Sequence, residues 1–286
     1  MIIDYASKPP TEAFNPPQTA HLQNYRRVYS ASESRVDAPQ DRSLALSGYL
    51  QAYESLGASH VVVKARDNET TFGLKVRNED VAAFCRTHGP RYVGFAGVDP
   101  HKGMQAVREL ETAVRDLGLR GLNLQCFELK LAINDKRMYP LYAKCVELDI
   151  PVNIHCGINF STASQMDYGR PVYLDEVMQH FPELRVCASP PGWPWIDELI
   201  GVAWRHPTVY IGIVAVRPKI LTAEDSGYRS LLTYGSKMLK DRIMTGTAYP
   251  MQPIAQAYEE FHALPLSDTV MRMWLHDNAA RFLGLA

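Results

Sequence analysis

Short β-rich segments recur along this chain at nearly regular intervals, and amphipathic segments lie between them. After the first β-rich segment, successive ones begin roughly 25 to 33 residues apart, which is the length of one strand plus one helix. Several segments are apolar on both faces, as parallel strands covered on both sides are. The predicted strands are Met1–Asp4, His60–Lys64, Tyr92–Val98, Gly121–Leu124, Pro151–Cys156, Leu184–Ala188, Thr208–Ile213 and Arg242–Gly246.

The intervening segments carry apolar residues three and four positions apart, a spacing that predicts helices. In the first of them, Met104, Val107 and Leu110 follow this spacing. Ser267 and Asp268 are suitable residues to cap a C-terminal helix over about 267–284. That first helix is predicted over Gly103–Leu117, and the others are predicted over Asp135–Leu148, Tyr173–Phe181, Trp195–Arg205 and Pro253–Phe261.

Alternating strands and helices over 286 residues predict an α/β protein with a (β/α)8 TIM barrel, forming a single domain over residues 1–286. A doubly wound open sheet is the alternative, but no glycine-rich phosphate-binding segment follows the first strand. A proline-rich stretch over about 7–40 does not fit the regular alternation of strands and helices. We expect it to form a long loop over the mouth of the barrel.

Composition narrows the class of protein. The chain has 30 Lys and Arg against 31 Asp and Glu, and this balance disfavours a nucleic-acid partner, since phosphate binding requires excess positive charge. There is no apolar run long enough to span a membrane and no signal-peptide pattern. The five cysteines include no Cys-x-x-Cys pair, which disfavours zinc and disulfides and predicts a cytoplasmic location.

The residues at the carboxyl ends of the predicted strands should surround the active site of such a barrel. These positions contain one histidine that a glycine turn follows, His155, and they lack the cluster of His and Asp residues that a metal site needs. They carry more cations than acids, together with Trp193 and Tyr249, which predicts a small anionic, ring-like, carboxylated ligand. The cations are Lys8, Lys64, Arg66, Arg217 and Lys219, and the acids are Asp4 and Asp99.

Several short motifs occur in an order and at a spacing that identify a family. They are Ile2-Ile3-Asp4, Gly121–Gln125, Tyr139–Tyr142, Pro151–Gly157, Phe181–Leu184, Trp193–Glu198, Arg242–Met244, Tyr249–Met251 and Asp277–Arg281. With these motifs the sequence resembles the amidohydrolase superfamily, in the branch that includes aminocarboxymuconate-semialdehyde decarboxylase and related hydrolases.

The resemblance implies a metal site whose ligands this chain has mostly lost. Members of the family open with Ile-Asp-x-His-x-His, and Ala6 and Lys8 stand where those two histidines would be. Ser189 and Ala248 stand at the positions of a third histidine and of the metal-binding aspartate, and only His155 is retained. One imidazole binds zinc poorly, and a lysine must first lose its proton to do so. We therefore expect no metal and no other cofactor.

Three residues are the catalytic candidates. A neutral His155 could act as general base on water, a protonated one could hold a carboxylate, or it could be a relic hydrogen-bonded to its neighbours. Lys8 could stabilise an oxyanion, although a solvent-exposed loop lysine is as consistent with its position. Asn123 on the fourth strand should point into the site and contact the ligand.

Other positions are candidates for substrate binding. Lys64 and Arg66 could hold an anion or could pair with Asp67 and Asp99. Ser189 lacks the sequence context of a nucleophilic serine and is expected to donate hydrogen bonds or fill space. Cys156 should point away from the site because side chains alternate along a strand. One side chain of Trp193 and Trp195 should form the pocket wall, with Tyr249 nearby, and Arg217 and Lys219 belong to the surface or to a subunit contact.

These candidates favour a metal-independent hydrolase that acts on a small carboxylated cyclic compound such as a lactone, cyclic amide or ring ketone. In this hypothesis His155 activates water, Lys8 and Asn123 stabilise the oxyanion, and Lys64 and Arg66 hold the carboxylate. Two alternatives stay open: non-oxidative decarboxylation of an aromatic or muconate-like acid, and binding of a small molecule without catalysis. A homo-oligomer is expected, as for many barrels of this kind.

Overall fold

A parallel β-barrel surrounded by helices forms the body of the protein. The computed structural model describes residues 1–17, 20–25, 28 and 42–285. The strands are β1 Ile2–Ser7, β2 Ala58–Lys64, β3 Arg66–Asn68, β4 Leu74–Val76, β5 Tyr92–Phe95, β6 Leu122–Leu124, β7 Val152–Ile154, β8 Val186–Ala188, β9 Val209–Val214 and β10 Ile243–Gly246.

The barrel consists of a three-stranded sheet in the order β1-β2-β5 and a five-stranded sheet in the order β10-β9-β8-β7-β6. A parallel bridge between Ala96 and Leu122 joins β5 to β6, and a second bridge, between Ser7 and Tyr249, joins β1 to the segment after β10. Together they close the ring of eight parallel strands, so the predicted (β/α)8 fold is confirmed.

Helices follow the strands on the outside of the barrel. They are α1 Arg42–Ser55, α2 Glu69–Phe72, α3 Asn78–His88, α4 Met104–Arg115, α5 Cys126–Leu129, α6 Tyr139–Glu147, α7 Tyr173–His180, α8 Ile196–Arg205, α9 Arg229–Gly235, α10 Ile254–His262, α11 Asp268–Arg272 and α12 Asn278–Phe282. Short 3-10 segments lie at Ala20–Leu22, Pro100–Lys102, Met166–Gly169 and Pro218–Thr222. None of these helices has the length and the apolar composition that crossing a membrane requires, within the residues described.

The predicted C-terminal helix is divided into three parts. A π-helical segment, Met273–Asp277, lies between α11 and α12. Ser267 is the N-cap of α11, as predicted, and its side chain accepts a hydrogen bond from the backbone N–H of Val270 at 3.4 Å. The end of α12 closes the bottom of the barrel: the Phe282 ring lies 5.6 Å from Tyr5 and 5.0 Å from Tyr210.

Part of the predicted long loop over residues 7–40 falls outside the described residues, namely 18–19, 26–27 and 29–40. The described part at 20–25 packs beside α5, which follows the carboxyl end of β6. His21 stacks on Phe72 at 3.9 Å, and Tyr25 lies 6.1 Å from Phe127 and 5.4 Å from Phe160, measured between ring centroids. This is the end of the barrel at which a loop covering the mouth would lie.

Candidate active site

A lysine ammonium points into the barrel from the end of β2. Lys64 Nζ donates a hydrogen bond to Asn153 Oδ1 at 2.9 Å and lies 4.2 Å from the centroid of the Tyr5 ring, in cation–π contact. Burial lowers the pKa of Lys64 to about 8, although the nearby Asp4 acts to raise it. Lys64 is therefore a half-buried cation at neutral pH and deprotonates more easily than an exposed lysine.

Two asparagine side chains extend the hydrogen bonding of Lys64 across the mouth. Asn153 Nδ2 donates to Asn123 Oδ1 at 2.9 Å, and Asn123 Nδ2 donates to the Ala65 carbonyl at 2.8 Å. In each asparagine the oxygen accepts a hydrogen bond and the nitrogen donates one, so these bonds determine which way both amide groups are turned. Asn123 was predicted as a ligand contact, whereas Asn153 was not, although its position two residues before His155 gives it the same inward direction.

His155 lies one layer closer to the mouth than Asn153. It is buried, its ring meets the Phe127 ring edge-on at 4.6 Å, and its Nδ1 has no hydrogen-bond partner among the residues described. Burial lowers the pKa of His155 to about 4, with the charge of Glu128 opposing this shift. The imidazole is therefore neutral at pH 7, and it is a weaker base than an ordinary histidine.

A buried carboxylate that was not predicted lies beside His155. Glu128 on α5 accepts hydrogen bonds from His21 Nε2 at 2.9 Å and from Asn68 Nδ2 at 2.8 Å, and Arg66 Nη1 lies 3.2 Å from both carboxylate oxygens. Burial raises the pKa of Glu128, but Arg66 and His21 outweigh it, so the pKa lies below its ordinary value. The signal in the sequence that could have indicated this residue is that Glu128 is the one acidic residue in the otherwise apolar segment Cys126–Leu129.

Arg66 uses one nitrogen, Nη1, in its contact with Glu128. In the part of the chain that the structure describes, its Nε and Nη2 make no hydrogen bond, and the side chain is 19% exposed. The suggested pairing of Lys64 and Arg66 with Asp67 and Asp99 is wrong. Those carboxylates accept bonds elsewhere: Asp67 from Lys75 and Lys102, and Asp99 from the backbone of His101 and Thr70. An edge of the guanidinium with two N–H groups is thus available to an anion.

The surplus of cations expected at the mouth is partly cancelled. Glu128 neutralises Arg66, and Glu260 accepts hydrogen bonds from Arg217 Nε at 3.0 and 3.1 Å. Lys219 is exposed. Among the described residues, no carboxylate lies within ion-pair distance of Lys64 Nζ, whose hydrogen bond is to a neutral amide.

The remaining predicted positions lie around the same end of the barrel. Lys8 is half-buried and its backbone N–H donates to the Tyr249 carbonyl at 3.0 Å. Tyr249 is buried against Tyr49, with ring centroids 5.3 Å apart. Trp193 is 37% exposed. Ser189 is buried at the end of β8, and within the described residues its hydroxyl makes no hydrogen bond to His155.

Cys156 is fully buried in the outer core, between the strands and the helices, as the alternation of side chains predicts. Burial raises the pKa of its thiol well above the ordinary value. A cysteine in this state is a poor nucleophile because the thiolate is the reactive form.

The positions that would bind a metal in the family do not form a metal site here. Asp4 has both oxygens occupied: Oδ1 accepts the N–H groups of Ala6 and Thr247 at 3.0 and 3.1 Å, and Oδ2 accepts the hydroxyls of Tyr53 and Thr247 at 2.7 and 2.8 Å. Burial raises the pKa of Asp4 to about 6. Across residues 1–17, 20–25, 28 and 42–285, no group of three or more His, Cys, Asp or Glu could hold a metal ion. The residues present do not fit one.

Comparison with known proteins decides the family. The family model described as Amidohydrolase matches residues 31–285. The chain belongs to the amidohydrolase family. The resemblance seen in the sequence is thereby confirmed.

Three solved structures share the fold of this chain. An uncharacterized TIM-barrel protein, Bb4693 from Bordetella bronchiseptica, is 29% identical with a TM-score of 0.85, over 99% of this chain and 98% of the other. A 2,6-dihydroxybenzoate decarboxylase from Rhizobium is 16% identical with a TM-score of 0.66 over 99% and 98%. A 5-carboxyvanillate decarboxylase from Sphingomonas paucimobilis is 19% identical with a TM-score of 0.66, also over 99% and 98%.

Proposed function

We propose that this protein is a non-oxidative decarboxylase of a small aromatic or muconate-like carboxylic acid. The observation that carries the proposal is the Lys64 ammonium, which lies inside the barrel without a carboxylate partner among the described residues. A cation in this position offsets negative charge that develops on a substrate in a partly desolvated site. Decarboxylation also agrees better than hydrolysis with the decarboxylases that share this fold.

Lys64 would supply the proton of the reaction. When the carbon–carbon bond to the carboxylate breaks, carbon dioxide leaves and the electron pair remains on the substrate carbon. The ammonium gives one proton to that carbon, becomes a neutral amine and takes a proton back from water. A pKa of about 8 suits this role, because general acids work best when their pKa lies near the working pH.

The neighbouring side chains would orient the substrate. The edge of Arg66 formed by Nε and Nη2 is suited to a planar anionic substituent, and Glu128 would keep the guanidinium in place. Asn153 holds the Lys64 ammonium, and Asn123 holds Asn153. Neutral His155 would accept or donate a hydrogen bond to a ring substituent.

Hydrolysis is the second candidate, and the unpartnered Nδ1 of His155 favours it. His155 would activate water, with Lys8 and Asn123 stabilising the oxyanion. The low pKa of His155, about 4, weakens this hypothesis, because an imidazole of low basicity takes a proton from water less effectively.

The reaction can be tested with carboxyl-labelled aromatic and muconate-like acids, including 2,6-dihydroxybenzoate and 5-carboxyvanillate. We expect labelled carbon dioxide to be released by the wild-type protein and by the surface control Lys237→Met. We expect none from Lys64→Met. Ring opening with the label retained in the product would support hydrolysis instead. Tight binding of an acid that is never turned over would support a binding protein.

A further inference from the structure

A cavity lies at the opposite end of the barrel from the mouth. It has a volume of about 270 Å³ and lies between the first residues of β1 and β2 and the C-terminal helices. Ile3, Ala280 and Leu285 supply apolar walls, and His60, His276 and Arg281 supply polar ones. Because an apolar cavity of about 150 Å³ accepts benzene, this space suits a molecule of roughly the size of benzoate.

One histidine in this cavity has an unsatisfied buried nitrogen. Among the described residues, His60 Nδ1 has no hydrogen-bond partner. Burial lowers the pKa of His60, and the neighbouring His276 and Arg120 lower it further. His60 is therefore neutral at pH 7 in surroundings of positive charge, and among the described residues its buried Nδ1 lacks the partner that buried polar atoms usually have.

The acidic residue of the cavity, Asp277, does not neutralise the positive charge around His60. Asp277 is paired on both oxygens, with His276 Nδ1 at 3.0 Å and with Arg272 Nε at 2.9 Å. Arg281, by contrast, is exposed, and its hydrogen bond is a long one of 3.4 Å from Nη1 to the Asp241 carbonyl. Most of its guanidinium is thus available to an anion, while Asp277 is not available to a cation.

The cavity also borders an irregular part of the backbone. The π-helical segment Met273–Asp277 carries His276 and Asp277 into the cavity wall. Segments of this kind are rare in proteins and are frequent at functional sites.

We propose that this cavity binds a small organic carboxylate. The carboxylate lies on Arg281 and accepts a hydrogen bond from the half-buried imidazole of His60, which lines the cavity. The hydrocarbon part of the ligand packs on Ile3, Ala280 and Leu285, and this apolar contact favours an organic acid over inorganic phosphate. The site is separate from the mouth and does not depend on the proposed reaction.

Histidine imidazole NMR signals test this proposal in the full chain, with benzoate as the probe and inorganic phosphate as the comparison. We expect benzoate to shift the His60 signal in the wild-type protein and equally in Lys64→Met, which separates this site from the mouth. The dissociation constant of benzoate obtained from this shift should rise about tenfold in Arg281→Gln, as expected for the loss of a charge-assisted hydrogen bond. The exposed control Arg229→Gln should leave the dissociation constant of benzoate unchanged.

Three results would overturn the proposal. They are the absence of any His60 shift, a shift that disappears in Lys64→Met, and phosphate titrating as tightly as benzoate. Arg281 is exposed, so its replacement should leave folding intact, and a thermal denaturation curve of Arg281→Gln checks this.

Discussion

Lys64 combines two properties that rarely occur together in a purely structural residue. Its ammonium is half-buried inside the barrel, and its direct partners are an amide and an aromatic ring. Partial removal of a cation from water costs free energy unless a carboxylate compensates for it. Such a residue is typical of sites where stability is exchanged for function.

The pH dependence of stability should reveal Lys64 directly. Its pKa is about 8 in the folded protein against an ordinary value of 10.5, so the unfolded chain binds more protons between these values. The free energy of unfolding of the wild type should therefore rise with pH through this window, relative to Lys64→Met, by on the order of 2 kcal/mol. Urea denaturation of both proteins at pH 7 and pH 10 measures the difference. Parallel pH profiles would show that the lysine is not buried in this way.

Glu128 should be a principal contributor to the stability of the mouth. Replacing it with Ala leaves the partly buried Arg66 without its carboxylate and removes the partner of His21. We expect a loss of about 3 to 5 kcal/mol, which is typical when one member of a buried ion pair is removed. Glu128→Gln should lose less because it keeps an acceptor for Asn68. Chemical denaturation measures both variants, with the exposed Glu69→Ala as control, and an equal effect of Glu69→Ala and Glu128→Ala would contradict the assignment.

At the scale of the elements, closure between the first and last strands depends on polar contacts. Asp4 on β1 accepts two hydrogen bonds from Thr247, the residue after β10. The backbone adds Ala248 N–H to the Ala6 carbonyl at 2.7 Å. Ala248 has a φ of 50°, a left-handed conformation that costs a non-glycine residue about 1 kcal/mol or more. The surrounding hydrogen bonds hold this turn in place.

Thr247→Val should weaken that closure. The hydroxyl of Thr247 donates to Asp4 at 2.8 Å and accepts the Tyr249 N–H at 3.1 Å. Losing both bonds in a buried position should cost about 2 kcal/mol. The exposed control Thr222→Val should stay within about 0.5 kcal/mol of the wild type. Equal midpoints of urea unfolding for Thr247→Val and wild type would contradict this role for Asp4.

The barrel strands and most helices could be predicted because their periodicity is local in sequence. The hairpin β3–β4 could not, since strands of three residues each are too short to leave a pattern. Candidate residues at strand ends, such as His155 and Asn123, could be assigned to the barrel interior because the fold fixes the direction of their side chains. Glu128 was missed because its partners come from distant segments: His21 is 107 residues away and Arg66 is 62. No spacing rule relates such positions.

For the whole molecule, the net charge of −1 does not show that the cations at the mouth differ in whether a carboxylate neutralises them. Arg66 and Arg217 are each compensated by a glutamate, while Lys64 has no carboxylate within ion-pair distance among the described residues. The family's metal positions hold Ala6, Lys8, Ser189 and Ala248. In the proposed reaction, side chains supply the positive charge.

The most direct test of chemistry by Lys64 without a metal is carbon dioxide release before and after metal removal. The wild-type protein is dialysed against EDTA, assayed with the carboxyl-labelled acids, and compared with Lys64→Met and with protein supplied with Zn²⁺ or Mn²⁺. We predict turnover that survives EDTA, gains nothing from added metal and is lost in Lys64→Met. Turnover that disappears with EDTA and returns with Zn²⁺ or Mn²⁺ would contradict the proposed site.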